Sequence, residues 1–460
     1  AGLAASLAGA GSGAANQVEN RVEAKILQAD INSAFTGTVD NTDAITVWAS
    51  DNTSISSEAI GASLAASLSG TTAASVAVGI SISENLIGNQ TFASVLDSTL
   101  VSASDISIRS HQSSTIEATA IAAALAVAGG NVGVGVSGAG ASALNEINNQ
   151  NAAVVAGSNL SAFGNVNVTA TEVSDIDASI SAATIAAAGG NIGAAAGFGF
   201  AIANNRIGDA ATYQDDPLQP RGERSSRVIA VVNQSEIDAS GSIDVTSTNN
   251  STVDAIVEAS SMAAAAGNIG AAGAAAGATS TSTIEVEQTA AILDTVGSGI
   301  ESDKAVRVRV QRDASATNSV GAATLAIAAG SYAGGVSVAV SDARTRQKNK
   351  LQSIVRGSVV NAGSWTRLEI YDTSDATATA QASAVSIAAS PAGLAIAGGG
   401  ATAISETSSI VDAELAVSSI TGGGLVFETF SNGSAQTRTE AITISAALIG
   451  IGASGSTASS

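Results

Sequence analysis

The sequence predicts an all-β, repetitive β-solenoid of the parallel β-helix kind, carrying Ala/Gly-rich arms on a repeat of about 60 residues. Three observations predict it: a composition too poor in large side chains for a thick core, glycine or serine turns recurring at near-constant spacing, and period-two alternation between them.

Of the 460 residues, 45% are hydrophobic, only 3% are aromatic and 12% are charged. Ordinary cores draw much of their buried area from large aromatic and aliphatic side chains. A core of Ala, Val, Ser, Thr and Gly must be thin, yet the chain is too apolar to stay disordered. Small side chains interlocking over a long repeated surface resolve the conflict.

The turns fall at Ser69-Gly70-Thr71, Gly129-Gly130-Asn131, Gly189-Gly190-Asn191, Gly267-Asn268, Gly330-Ser331 and Ser390-Pro391. One interval is long, and an insertion at 209–227 accounts for the excess. Each unit has an arm into the turn, an arm out, an Asn or polar break, and short strands around a Ser-x-Leu/Ile-x-Ala-x-Gly-x-Val piece. Ile243 and Val245 alternate with Asp244 and Thr246, the strand period. The alanine arms suit a helix by propensity, but Gly133, Gly135, Gly138 and Gly140 weaken one, so strands are expected there too. Arms that are small and apolar on both faces predict sheet buried on both sides and unusually close packing. Two or three coils per unit, at roughly 4.8 Å each, predict a rod on the order of 70–110 Å.

Residues 1–460 therefore read as one continuous array, a segment of a longer chain or a stacking subunit, with the loop insertion at 209–227. Neither terminus reads as a polar cap, and Ala1-Gly2-Leu3 lacks an initiator Met and any signal-peptide shape. The Ala178–Asn204 stretch is apolar, but Gly189, Gly190, Asn191 and Gly193 interrupt it and it recurs along the chain, so no membrane insertion is expected. The net charge of −21 with only 18 basic residues argues against nucleic acid as a partner. Without cysteine, disulfides and thiol chemistry are excluded.

Pieces such as Ser235 to Val245, joined to arms such as Ala122 to Ala143, resemble the repeats of very large bacterial surface and secreted adhesins, the filamentous-haemagglutinin-like and autotransporter-passenger-like β-solenoids. The resemblance covers nearly the whole chain apart from the insertion. It implies an extracellular, surface-displayed protein that adheres or builds matrix. The chain departs from the pattern in carrying no secretion domain or membrane barrel.

The glycine run Gly133-Val134-Gly135-Val136-Ser137-Gly138 matches a dinucleotide fingerprint, but its glycines continue in strand alternation with no helix to follow, so no cofactor is expected. His111, the single histidine, reads as a surface polar residue, and no catalytic residues are assigned. Calcium is possible for an acidic extracellular chain; Asp40/Asp43 and Asp175/Asp177 are too few to name a site, and the metal assignment stays open.

Two places read as partner contacts. The insertion concentrates Asp209, Tyr213, Asp215, Asp216, Arg221, Glu223, Arg224 and Arg227 with Pro217 and Pro220 in an exposed loop that breaks the repeat. Ten basic residues lie between Lys304 and Arg367; Arg344, Arg346, Lys348 and Lys350 share one face if extended. This stripe either pairs across coils with acids such as Glu285 and Glu287 or meets an acidic rod or anionic polymer. The expected function is a structural fibre that partners itself end to end or laterally. An adhesin binding a cell surface or polysaccharide is the alternative, and a β-helix polysaccharide lyase or hydrolase the third.

Overall fold

Inward and outward side chains alternate along the long arms from Leu3–Val18 to Ala392–Ala416 in the computed structural model, which describes residues 2–33, 44–208, 226–447 and 449–459. The described residues form 25 strands and no helix. They assemble into one parallel sheet of 13 strands and one of 12, consistent with a β-solenoid.

One coil serves for all. Ile106–Gly129 runs 24 residues along the 12-stranded sheet. The turn at Gly130 and Asn131 reverses the chain into Val132–Ile147 of the 13-stranded sheet. After a break at Asn148 and Asn149, Gln150–Ala156 continues that sheet, and Asn159–Ala162 returns the chain to the first. Val166 then pairs with Ile106, one full circuit on.

Partners on neighbouring coils are thus 60 residues apart here, 69 at the first step, 77 across the insertion and 63 at the next step. The expectation of two or three coils per unit is corrected: each unit closes one wide coil, because its internal turns bend the chain around the perimeter and do not restart the register. An arm of 24 residues spans about 80 Å, whereas seven coils rise only about 34 Å. The molecule is a flat blade and not the long rod expected.

The tight corner of each coil places one residue in the left-handed region: Gln28, Asp97, Gly157, Gln234, Asp294, Gly357 and Val417. At five of the seven corners, all but Gln28 and Asp294, the next residue is a serine that stitches the coils. Ser98 N–H donates to Ser158 Oγ, Ser158 N–H to Ser235 Oγ, and Ser358 N–H to Ser418 Oγ, each at 3.1 Å.

The core changes character across the blade. Between the short strands and the start of the long arm it is Ile, Val and Leu, including Ile108, Leu160, Val168 and Ile237. Beyond that, the two long arms face each other mostly across alanine, with Ile180, Val257 and Val320 and small buried hydroxyls such as Ser137 and Thr184 among it. A Cβ on Gly79 would lie 2.3 Å from the Ala123 carbonyl oxygen, and one on Gly135 would lie 2.6 Å from that of Ala187. The sheets therefore approach more closely than the usual ~10 Å. Between the two regions Asn16, Asn85, Asn145 and Asn205 form an amide ladder, each donating to the next at 2.8–2.9 Å.

The arms are not buried on both sides. With only two layers, each sheet has an outer face, and on the thin wing that face is apolar and open: Leu64 is 63% exposed and Phe200 52%.

Candidate functional site

Of the expected contacts in the insertion, Tyr213, Asp215, Asp216, Arg221 and Arg224 lie outside the described residues. The array resumes at Ser226–Asn233, where Arg227 Nη2 meets Glu287 Oε2 at 2.8 Å.

The basic stripe sits on Tyr332–Arg356, and strand alternation puts Arg344, Arg346, Lys348 and Lys350 together on the outer face of the 13-stranded sheet. Each cation has an acid. Lys348 Nζ lies 3.5 Å from Glu285 Oε1 and Lys350 Nζ 2.9 Å from Glu287 Oε1, both on the preceding coil. Arg346 Nε lies 2.9 Å from Glu406 Oε2 on the following coil, and Arg344 Nη2 3.0 Å from Asp342 Oδ2 on its own strand. Burial raises the pKa of the Glu287 carboxyl, but Lys350 and Arg227 outweigh it and hold the group below its ordinary value. The stripe is a row of exposed, locally neutralised pairs, each contributing at most about 1 kcal/mol to stability.

On the other sheet three arginines converge on Glu369, whose side chain is 2% exposed. Arg309 approaches it at 2.7 Å, Arg367 at 3.3 Å and Arg307 at 3.6 Å. Arg309 also lies over the Tyr371 ring, 5.5 Å from its centroid.

A polar column that sequence reasoning missed runs through the interior. Asp51, Gln112, Glu172, Asn249, Arg312 and Asp372 stand in register on six successive coils, none more than 6% exposed. Glu172 Oε1 accepts from Ser174 Oγ at 2.9 Å, Asn149 Nδ2 at 3.3 Å and Ser226 Oγ at 3.4 Å. Burial nevertheless pushes its pKa up to about 7. Arg312 Nη1 donates to Ser374 Oγ at 2.7 Å and Asp372 Oδ1 at 3.2 Å, while burial pulls its pKa down to about 10. Enclosed in this way, the column organises the core and offers no access to a substrate.

The outer face of the 12-stranded sheet carries a shallow groove of about 430 Å³, lined by Thr46, Trp48, Arg109, His111, Asn167 and Thr169 among others. Register places Trp48, Arg109 and Thr169 side by side on three coils. His111 is thus one wall of a groove that also offers an exposed indole, a guanidinium and a row of hydroxyls.

Asp175 and Asp177 share an outer face, where desolvation and then Asp254, Asp177 and Glu117 raise the pKa of Asp175. Asp40 and Asp43 lie outside the described residues. Among the described residues no group of three or more His, Asp or Glu is disposed to hold a metal, and no helix is long and apolar enough to cross a membrane. Comparison with protein-family models, curated proteins and solved structures returns no match for this chain.

Proposed function

We propose that this chain is a non-enzymatic structural protein of an extracellular bacterial fibre or matrix, in which Ala/Gly-armed solenoid repeats of about 60 residues stack along one axis. The observation that carries this reading is the register. From Ile45 through Ile106, Val166, Ile243 and Val306, the first residues of their long arms, to Thr366 within Val359–Ala389, the register stays in line from coil to coil. A cross-section that repeats without drift adds further coils, from the same chain or another, on the same hydrogen-bonding pattern. Electron microscopy with a power spectrum along the fibre axis tests it: fibres with a meridional spacing near 4.8 Å are expected. Discrete particles that never associate end to end at high concentration would refute it.

The groove at Trp48 favours a second reading, an adhesin for polysaccharide. An exposed indole face beside Arg109, His111 and Asn167 suits a pyranose ring, with its apolar face on the aromatic and its hydroxyls on the polar row. A glycan array probed with the intact chain and with Trp48→Ala tests this. Equal binding by both removes the groove from consideration.

A further inference from the structure

The outer face of the thin wing on the 13-stranded sheet is corrugated. At two adjacent outward positions, alternate coils carry Val78 and Ile80, Phe198 and Phe200, and Val338 and Val340, all 39–52% exposed. The coils between them carry, in strict register, Gly9 and Gly11, Gly138 and Gly140, Ala275 and Gly277, and Gly398 and Gly400. Apolar ridges about 9.6 Å apart thus alternate with glycine troughs over seven coils.

Among the described residues, nothing crowds six of those glycines. A Cβ at Gly9, Gly11, Gly138, Gly140, Gly398 or Gly400 would meet no atom within 4 Å, and none of the six has a positive φ. Gly277 differs, since the Phe200 ring already lies over it, 3.1 Å from where its Cβ would stand. The inward glycines of the same arms, Gly79 and Gly135, are by contrast pressed against the opposing backbone. An outward glycine weakens a strand by its entropy and lack of side chain, so its recurrence every second coil calls for a surface that approaches from outside.

From this we infer that the corrugated face pairs with the same face of a second copy of this chain, ridges seated in troughs. The pattern is self-complementary. A two-fold axis along the strand direction, placed between adjacent coils, maps each residue column onto itself and shifts odd coils onto even ones. Every ridge then meets a trough, and the two solenoid axes run antiparallel. Because the axis lies between coils, six of the seven overlap, and a strip about ten residues wide centred on the two corrugated positions covers roughly 33 Å by 29 Å. That is on the order of 950 Å² per copy, a little above the roughly 800 Å² each partner gives a stable complex. The inference deepens the self-association reading and rests on it only for the identity of the partner, since lateral pairing uses a face and axial stacking uses the coil edges.

The test is sedimentation velocity and electron microscopy on the whole chain, wild type against Gly138→Leu/Gly140→Leu. These substitutions have open space in the isolated chain, so the fold is retained, which circular dichroism checks. They add apolar surface and fill a trough. Wild-type chains are expected to pair laterally, and the Leu variant to lose pairing by about 100-fold in Kd. Phe198→Gly/Phe200→Gly, which removes a ridge, is expected to weaken pairing as well. A Leu variant that pairs as tightly as wild type or more tightly would show mere apolar stickiness and overturn the inference, as would wild-type chains of single width at micromolar concentration. Single-width filaments of the Leu variant that keep their axial spacing support it; pairs without any axial stacking would sink the fibre reading and leave this one standing.

Discussion

Replacing Glu172 with Gln tests whether the interior column sets the acid–base behaviour of the fold. In the folded chain burial raises the carboxyl from its ordinary value of 4.5 to about 7. Between those values the folded state holds a proton that the unfolded state has released, so stability falls as pH rises through the window. Each pH unit is worth about 1.4 kcal/mol, giving roughly 3 kcal/mol in total. Below pH 4.5 the group costs nothing; above pH 7 the whole penalty is present. Gln keeps the oxygen that accepts from Ser174, Asn149 and Ser226 and never ionises. A solenoid unfolds by neighbouring coils, so the readout is hydrogen exchange of the Val166–Gly189 amides from pH 4 to 8. Taking the difference from Glu172→Gln removes the background of the other carboxylates. Wild-type protection is expected to fall relative to the variant by about 1.4 kcal/mol per pH unit between pH 5 and 7. Protection curves that run parallel across that range would refute the reasoning.

Asp372→Leu strands the Arg312 guanidinium in the core and is expected to cost about 3–5 kcal/mol, whereas the double variant Arg312→Met/Asp372→Leu recovers most of it in a urea titration. Gly79→Ala forces a Cβ against the Ala123 carbonyl and is expected to lower stability by about 3 kcal/mol, while Gly140→Ala on the open outer face leaves the thermal midpoint unchanged or raises it. Val417 holds a β-branched side chain at φ 49°, and Val417→Gly is expected to gain about 1 kcal/mol in the same assay. Because each cation of the stripe is already paired with an acid, reversing Arg344, Arg346, Lys348 and Lys350 to Glu is expected to preserve the strand signature in circular dichroism and leave retention on an anionic polymer resin unchanged; lost retention would restore the stripe as a partner contact.

Much of the fold was legible because inward positions keep their chemistry from coil to coil. Ile243 and Val245 are buried and their neighbours Asp244 and Thr246 face outward, as alternation required. The alanine arms are strands, as Gly133 and Gly135 implied. The number of coils per unit was not legible, since the break at Asn148 and Asn149 and the corner at Gly157 look in sequence like turns that close a circuit. The Asn or polar break expected after the outgoing arm does not include Asn145, which lies inside a strand; the recurrence of Asn85, Asn145 and Asn205 at a fixed spacing carried the signal for a ladder. The Glu172 column carried none, because register joins Gln, Glu, Asn, Arg and Asp there and residue type gives no hint of shared position. The cross-coil acids of the basic stripe were foreseeable from Glu285 and Glu287, whereas the contribution of Glu406 needed the register.

The wide coil also fixes how such a structure yields to tension. Each circuit of about 60 residues adds only about 4.8 Å along the axis, but pulled straight it releases roughly 200 Å of chain. Force along the axis loads the hydrogen bonds of a whole coil end-on, and when an end coil peels away the tether lengthens some fortyfold over the height it gave up. The remaining coils keep their partners and their register. A stack of this kind stays stiff and short at rest, pays out length one circuit at a time, and offers a ready template onto which a released circuit rewinds.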